Sequence, residues 1–66
     1  MDISVNGELR EVPDGSTVGD LVRVLDLEGR RIAVELNRAI VRREHYATQR
    51  LAAGDAVEIV HFVGGG

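Results

Sequence analysis

Nothing in this chain restricts its fold more than Asn6-Gly7, the dipeptide set between "MDISV" and "ELREV". A two-residue type I′ turn needs positive φ at both central positions, and Asn-Gly meets that demand at the least steric cost. The residues before it alternate, with Met1, Ile3 and Val5 on one side and Asp2 and Ser4 on the other. That is the period of a half-buried strand. The chain therefore opens as a β-hairpin. In the returning strand Leu9 and Val12 fall out of phase, which predicts a bulge or a frayed start.

Pro13-Asp14-Gly15 has the composition of a turn. A helix start follows, with Ser16 or Thr17 as N-cap and Asp20 in capping-box position behind Thr17. Val18, Leu21, Val22 and Leu25 recur at i, i+3, i+4 and i+7, a single apolar stripe. The helix is expected to last about two to three turns and to end near Asp26, with Gly29 closing its exit. A helix that short is unstable by itself, so it must lie on a sheet.

The rest of the chain supplies that sheet. "RIAVELN" alternates, with Ile32, Val34 and Leu36 on one side, and "RAIV" follows a tight turn at Asn37-Arg38. "RREHYATQRL" lacks a clean period and is expected to form a loop with a helical turn, pinned by Tyr46 and Leu51. "AAGD" turns the chain into "AVEIVHFV", the last strand. A hairpin, one crossing helix and a final strand returning beside the first describe an α+β fold of the ubiquitin-like β-grasp type. It is a mixed five-stranded sheet with one helix packed on one face. The expected division is a domain over residues 1–63 and a flexible glycine tail over 64–66.

With 66 residues the chain is one domain with a thin core, and with no cysteine it has no disulfide and no thiolate chemistry. The net charge of −3 and the scattered arginines argue against a nucleic-acid partner. No apolar run approaches the roughly 20 residues that span a bilayer. "MDISVNGELR" does not have the pattern of a signal peptide, so a cytoplasmic protein, monomeric when alone, is expected. His45 and His61 lie far apart without ligand spacing, and no serine or threonine sits in an activating arrangement. No catalytic residue, metal site or bound cofactor is expected.

Two features remain. If Val57 and Ile59 face the helix, Val60 and Phe62 point away from it. On a sheet with one helix those two side chains form a candidate docking patch for a partner. The chain then closes in Gly64-Gly65-Gly66. At average glycine usage such an ending arises by chance roughly once in several thousand chains. A terminal carboxylate becomes an acyl donor only when its oxygen is made a leaving group, for example by adenylate transfer from ATP in a pocket closed to water. A peptide threading a narrow channel to such a pocket can afford no Cβ. The four residues after Phe62 reach about 13–14 Å when extended.

"MDISVNGELREVPDGSTVGDLV", "LNRAIVRREHY", "LAAGDAVEIV" and "FVGGG" together resemble the ThiS family, the ubiquitin-like sulfur carriers of thiamine biosynthesis. The similarity covers essentially the whole chain, with Tyr46 standing where a larger aromatic is frequent. The resemblance implies that Gly66 is adenylated by an E1-like, ThiF-type adenylyltransferase that uses ATP, and is then converted to a thiocarboxylate with sulfur from a donor system. It implies delivery of that sulfur at a ThiG-type thiazole synthase, with Gly65 and Gly64 threading into the partner's active site. The small subunit of molybdopterin synthase has the same fold and a Gly-Gly end, but aromatics and prolines precede its glycines. "VEIVHFVGGG" contains no proline and no second aromatic. A non-carrier β-grasp binding module, or a modifier conjugated to other proteins, shares the fold as well; the module needs no free glycine end.

Overall fold

A computed structural model of the chain describes residues 1–62. Its elements are β1 (Asp2–Val5), β2 (Glu8–Glu11), α1 (Val18–Val24), β3 (Ile32–Leu36), β4 (Ala39–Val41) and β5 (Ala56–His61), with a 3-10 turn at Arg43–His45. The strands make one sheet in the order β2-β1-β5-β3-β4. β5 is parallel to β1 and antiparallel to β3, while β1–β2 and β3–β4 are antiparallel hairpins. This is the β-grasp that the sequence predicts. The boundary expected between residues 63 and 64 lies outside the described residues.

The core lies between α1 and one face of the sheet. Val18, Leu21 and Val22 of the helix are buried with Ile3 of β1, Ile32 and Val34 of β3, and Val57 and Ile59 of β5. Leu51 closes one end, and Leu25, Leu27 and Tyr46 pack around the margin. Each buried aliphatic side chain contributes about 1.5–3 kcal/mol relative to exposure, which is what holds a seven-residue helix in place.

Thr17, not Ser16, is the N-cap. Its Oγ1 accepts from the Asp20 N–H at 3.1 Å, and its own N–H donates to Asp20 Oδ2 at 2.9 Å. That donation holds the Asp20 carboxyl below the ordinary carboxylate range. Ser16 is buried instead, its hydroxyl donating to the Pro13 carbonyl at 2.6 Å. The loop behind the 3-10 turn completes the cap: Val18 N–H donates to Gln49 O at 2.9 Å and Gly19 N–H to Tyr46 O at 2.8 Å. A Cβ at Gly19 would stand 3.2 Å from that Tyr46 oxygen, so the close approach favours glycine.

Two local expectations are corrected. The helix ends at Val24 with Leu25 as C-cap, and its exit is closed by Asp26 rather than Gly29. Asp26 adopts φ 60°, its N–H donates to Arg23 O, and the Leu27 N–H donates to Val22 O at 2.9 Å. Those paired bonds are a Schellman closure. Gly29 belongs to the following turn, where the Arg30 N–H donates to Leu27 O. Nor does β2 bulge: it pairs with β1 in unbroken register from Asp2–Glu11 to Val5–Glu8, and all its residues are exposed. The phase slip arises at Val12, which lies beyond the strand and turns into the core while its N–H donates to Met1 O.

Candidate functional site

β5 leads to the end of the chain, and it is held from both sides. Between β1 and β3 it shares backbone ladders with each, and the asparagines of both hairpin turns extend those ladders. The Asn6 N–H donates to Val57 O at 2.8 Å, its Oδ1 accepts from the Ile59 N–H at 2.7 Å, and its Nδ2 donates to Ile59 O at 3.2 Å. Across the sheet, the Asn37 N–H donates to Ala56 O at 2.8 Å and its Oδ1 accepts from the Ala56 N–H at 2.9 Å. Both turns have the paired positive φ of type I′, 51° and 83° at Asn6-Gly7 and 52° and 73° at Asn37-Arg38. The asparagines were legible as turn residues; that their side chains grip a strand distant in sequence was not.

Val60 and Phe62 lie where the alternation places them, away from the helix, 56% and 59% exposed. Residues 42–53 do not cover them. Phe62 stays in line with the sheet because its N–H donates to Arg31 O at 2.9 Å. Gly64, Gly65 and Gly66, the residues expected to enter a partner and carry the chemistry, lie outside the described residues.

Cross-strand partners share a face, and the register shows what else lies on this one. Val60 stands opposite Ala33, Glu58 opposite Glu35, and Glu35 in turn opposite Ile40 of β4. Ile40 is 74% exposed. Neither it nor the Glu35–Glu58 pair was singled out from the sequence. A three-residue strand is too short to show its alternation, and the pairing of β3 with β5 is not written in local order.

Among the described residues no group of three or more His, Cys, Asp or Glu side chains could hold a metal ion, and no helix is long and apolar enough to cross a membrane. A groove of about 660 Å³ runs between α1 and the 3-10 turn. Part of its charged lining is paired internally, Arg23 with Asp20 and Glu28, and Arg43 with the Arg30 carbonyl. The first N–H groups of α1 are all bonded within the fold, so the helix offers none to an anion. The arrangement contains no nucleophile beside a base. What it does contain is a firmly held strand with an uncovered face leading to the chain end.

The comparisons with known proteins agree with that layout. The ThiS family pattern matches residues 3–66. The chain is 38% identical to the Bacillus subtilis sulfur carrier protein ThiS over 65 residues, covering 97% of this chain and 98% of that one. It is 39% identical over 66 residues to the thiazole synthase of Magnetococcus marinus, of which it spans only 20% while being matched in full itself. The crystal structure of the thiamine biosynthesis protein (ThiS) from Geobacter metallireducens superposes with a TM-score of 0.85 at 33% identity, each chain covered completely. The chain belongs to the ThiS family.

Proposed function

We propose that this chain carries sulfur as a thiocarboxylate on Gly66 for construction of the thiazole ring of thiamine. The observation that supports this most is the span of the family match, which runs through residue 66 and so takes in the glycine run together with the sheet behind it. The likeness to a sulfur carrier over nearly the full length of both chains points the same way.

The chemistry is assigned to partners. On a ThiF-type, E1-like adenylyltransferase, the Gly66 carboxylate attacks the α-phosphorus of ATP; an acyl adenylate forms and pyrophosphate leaves. A sulfur nucleophile from a donor system then adds at the carbonyl carbon, and AMP departs with the bonding electrons. With sulfur at the sulfide level as that nucleophile, loss of its proton leaves sulfur in place of one carboxylate oxygen, with no change of oxidation state. Gly64 and Gly65 let the end pass through a channel that a side chain would block, and water stays out of the pocket where the adenylate forms. Val60 and Phe62 meet the partner beside the channel mouth. A ThiG-type thiazole synthase then takes the sulfur, a pairing supported by the presence of this whole sequence pattern within a longer thiazole synthase. The chain acts as carrier and co-substrate, contributes no catalytic group, and leaves ATP to its partner.

Growth supplies the test. Cells lacking their own carrier should grow without added thiamine when they express this chain, and should fail with a version lacking Gly66. Full growth on the truncated version would contradict the proposal.

A further inference from the structure

We infer that Asn6 is a deamidation site, held in check by the fold, whose reaction releases the grip of the β1–β2 turn on β5. The site is independent of any sulfur carried on Gly66. It governs how firmly the strand leading to the chain end is held.

An asparagine side chain can react with the backbone that follows it. The Gly7 nitrogen, its proton given up to base, attacks Asn6 Cγ, and the carboxamide nitrogen leaves as ammonia. A five-membered imide results. Water adds to either of its carbonyls and opens it to aspartate or isoaspartate, with no change of oxidation state. A following glycine presents no Cβ to hinder the attack. The chain has two asparagines, and the fold makes them a matched pair. Both occupy the first central position of a type I′ turn, at φ 51° and 52°, and both grip β5 through backbone and side chain. They differ in the residue that follows, Gly7 after Asn6 and Arg38 after Asn37. The reactive dipeptide therefore stands at Asn6 alone.

The fold opposes the reaction at the same atoms. Asn6 Oδ1 accepts from the Ile59 N–H at 2.7 Å and Nδ2 donates to Ile59 O at 3.2 Å, which fixes the carboxamide against β5. To swing Cγ onto the Gly7 nitrogen the side chain must let go of Ile59, so only the locally opened fraction of molecules reacts. Asn6 is exposed, and water reaches the imide once it forms. Either product is a poorer clamp. Aspartate still accepts from the Ile59 N–H, but it sets an oxygen without a proton where Nδ2 met the Ile59 carbonyl, oxygen against oxygen. Isoaspartate adds a methylene to the backbone inside a two-residue turn and spoils the type I′ geometry. A molecule that reacts loses one of its two asparagine grips on β5 and keeps the other, at Ala56.

The test is incubation of the full chain at mildly alkaline pH, in buffer and in unfolding urea, followed by intact mass and fragmentation. In urea, replacement of amide by carboxyl should appear at Asn6 ahead of Asn37; in buffer it should be slower at Asn6 by about tenfold or more. Asp14-Gly15 can form the same imide, but it reopens to an unchanged mass and does not enter this reading. Protein modified in urea and returned to buffer should exchange its Ile59 amide about tenfold faster than unmodified protein. Asn6→Asp, made directly, should quicken the same amide. Four results would each overturn the inference: no reaction at Asn6 in urea, reaction led by Asn37, equal rates in buffer and urea, or an Ile59 amide unaltered in the modified protein and in Asn6→Asp.

Discussion

The two faces of the sheet are made from the same strands and follow opposite rules. On the covered face, Ile3, Val34, Val57 and Ile59 interlock with Val18, Leu21 and Val22 and bury the apolar side of the helix. On the open face, Ile40, Val60 and Phe62 are more than half exposed and stand around two opposed carboxylates. Nothing in the fold requires them there. Among the described residues no second layer packs over these side chains. The covered face explains why the molecule folds; the open face, with the strand end beside it, explains what it offers a partner.

Substitutions can break or sharpen that contrast. The largest effect belongs to the covered face: Leu21→Ala, at a site 1% exposed, should lower stability by about 3 kcal/mol, measured by urea unfolding. A loss below about 1 kcal/mol would mean that the helix is not seated as described. Asn6→Ala comes next. It removes both side-chain bonds to Ile59 and places a residue with a Cβ-only side chain at φ 51°, and a loss of about 2 kcal/mol is expected. Amide exchange at Ile59 should quicken with it; an unchanged Ile59 amide would refute the clamp.

A smaller change of opposite sign is expected at Arg38, whose φ of 73° strains any side chain. Arg38→Gly should stabilise by about 1 kcal/mol, and a destabilised variant would show that the arginine makes a contact the fold depends on. The open face should give the least in stability. Phe62→Ala and Ile40→Ala are expected to shift unfolding by about 0.5 kcal/mol or less, while binding to the adenylating enzyme weakens measurably. Gross unfolding, or unchanged binding, would remove the distinction between the faces.

Much of the covered face is legible in the amino-acid order because its determinants are local. Asn6-Gly7 dictates a turn, Thr17 and Asp20 make a capping box, and the Val18-Leu21-Val22 stripe identifies the buried side of α1. The errors have local causes too. Glycine was expected at the helix exit because it adopts positive φ without strain, whereas Asp26 takes that position and Leu27 packs behind it. Val12 broke the alternation because the strand had already ended, which periodicity alone does not reveal. The open face was only half legible. Val60 and Phe62 follow from alternation along β5, but Ile40 and the Glu35–Glu58 opposition depend on which strands pair and in what register, a long-range outcome of folding. The glycine run Gly64-Gly65-Gly66 was readable from composition and resemblance.

The most direct test of the central claim is the intact mass of the chain after incubation with ATP, the adenylating enzyme and a sulfur source, followed by fragmentation to locate any change. The account predicts exchange of one oxygen for one sulfur, confined to Gly66 and absent when Gly66 is deleted. An unchanged mass with a competent enzyme, or sulfur found at any other residue, would contradict it.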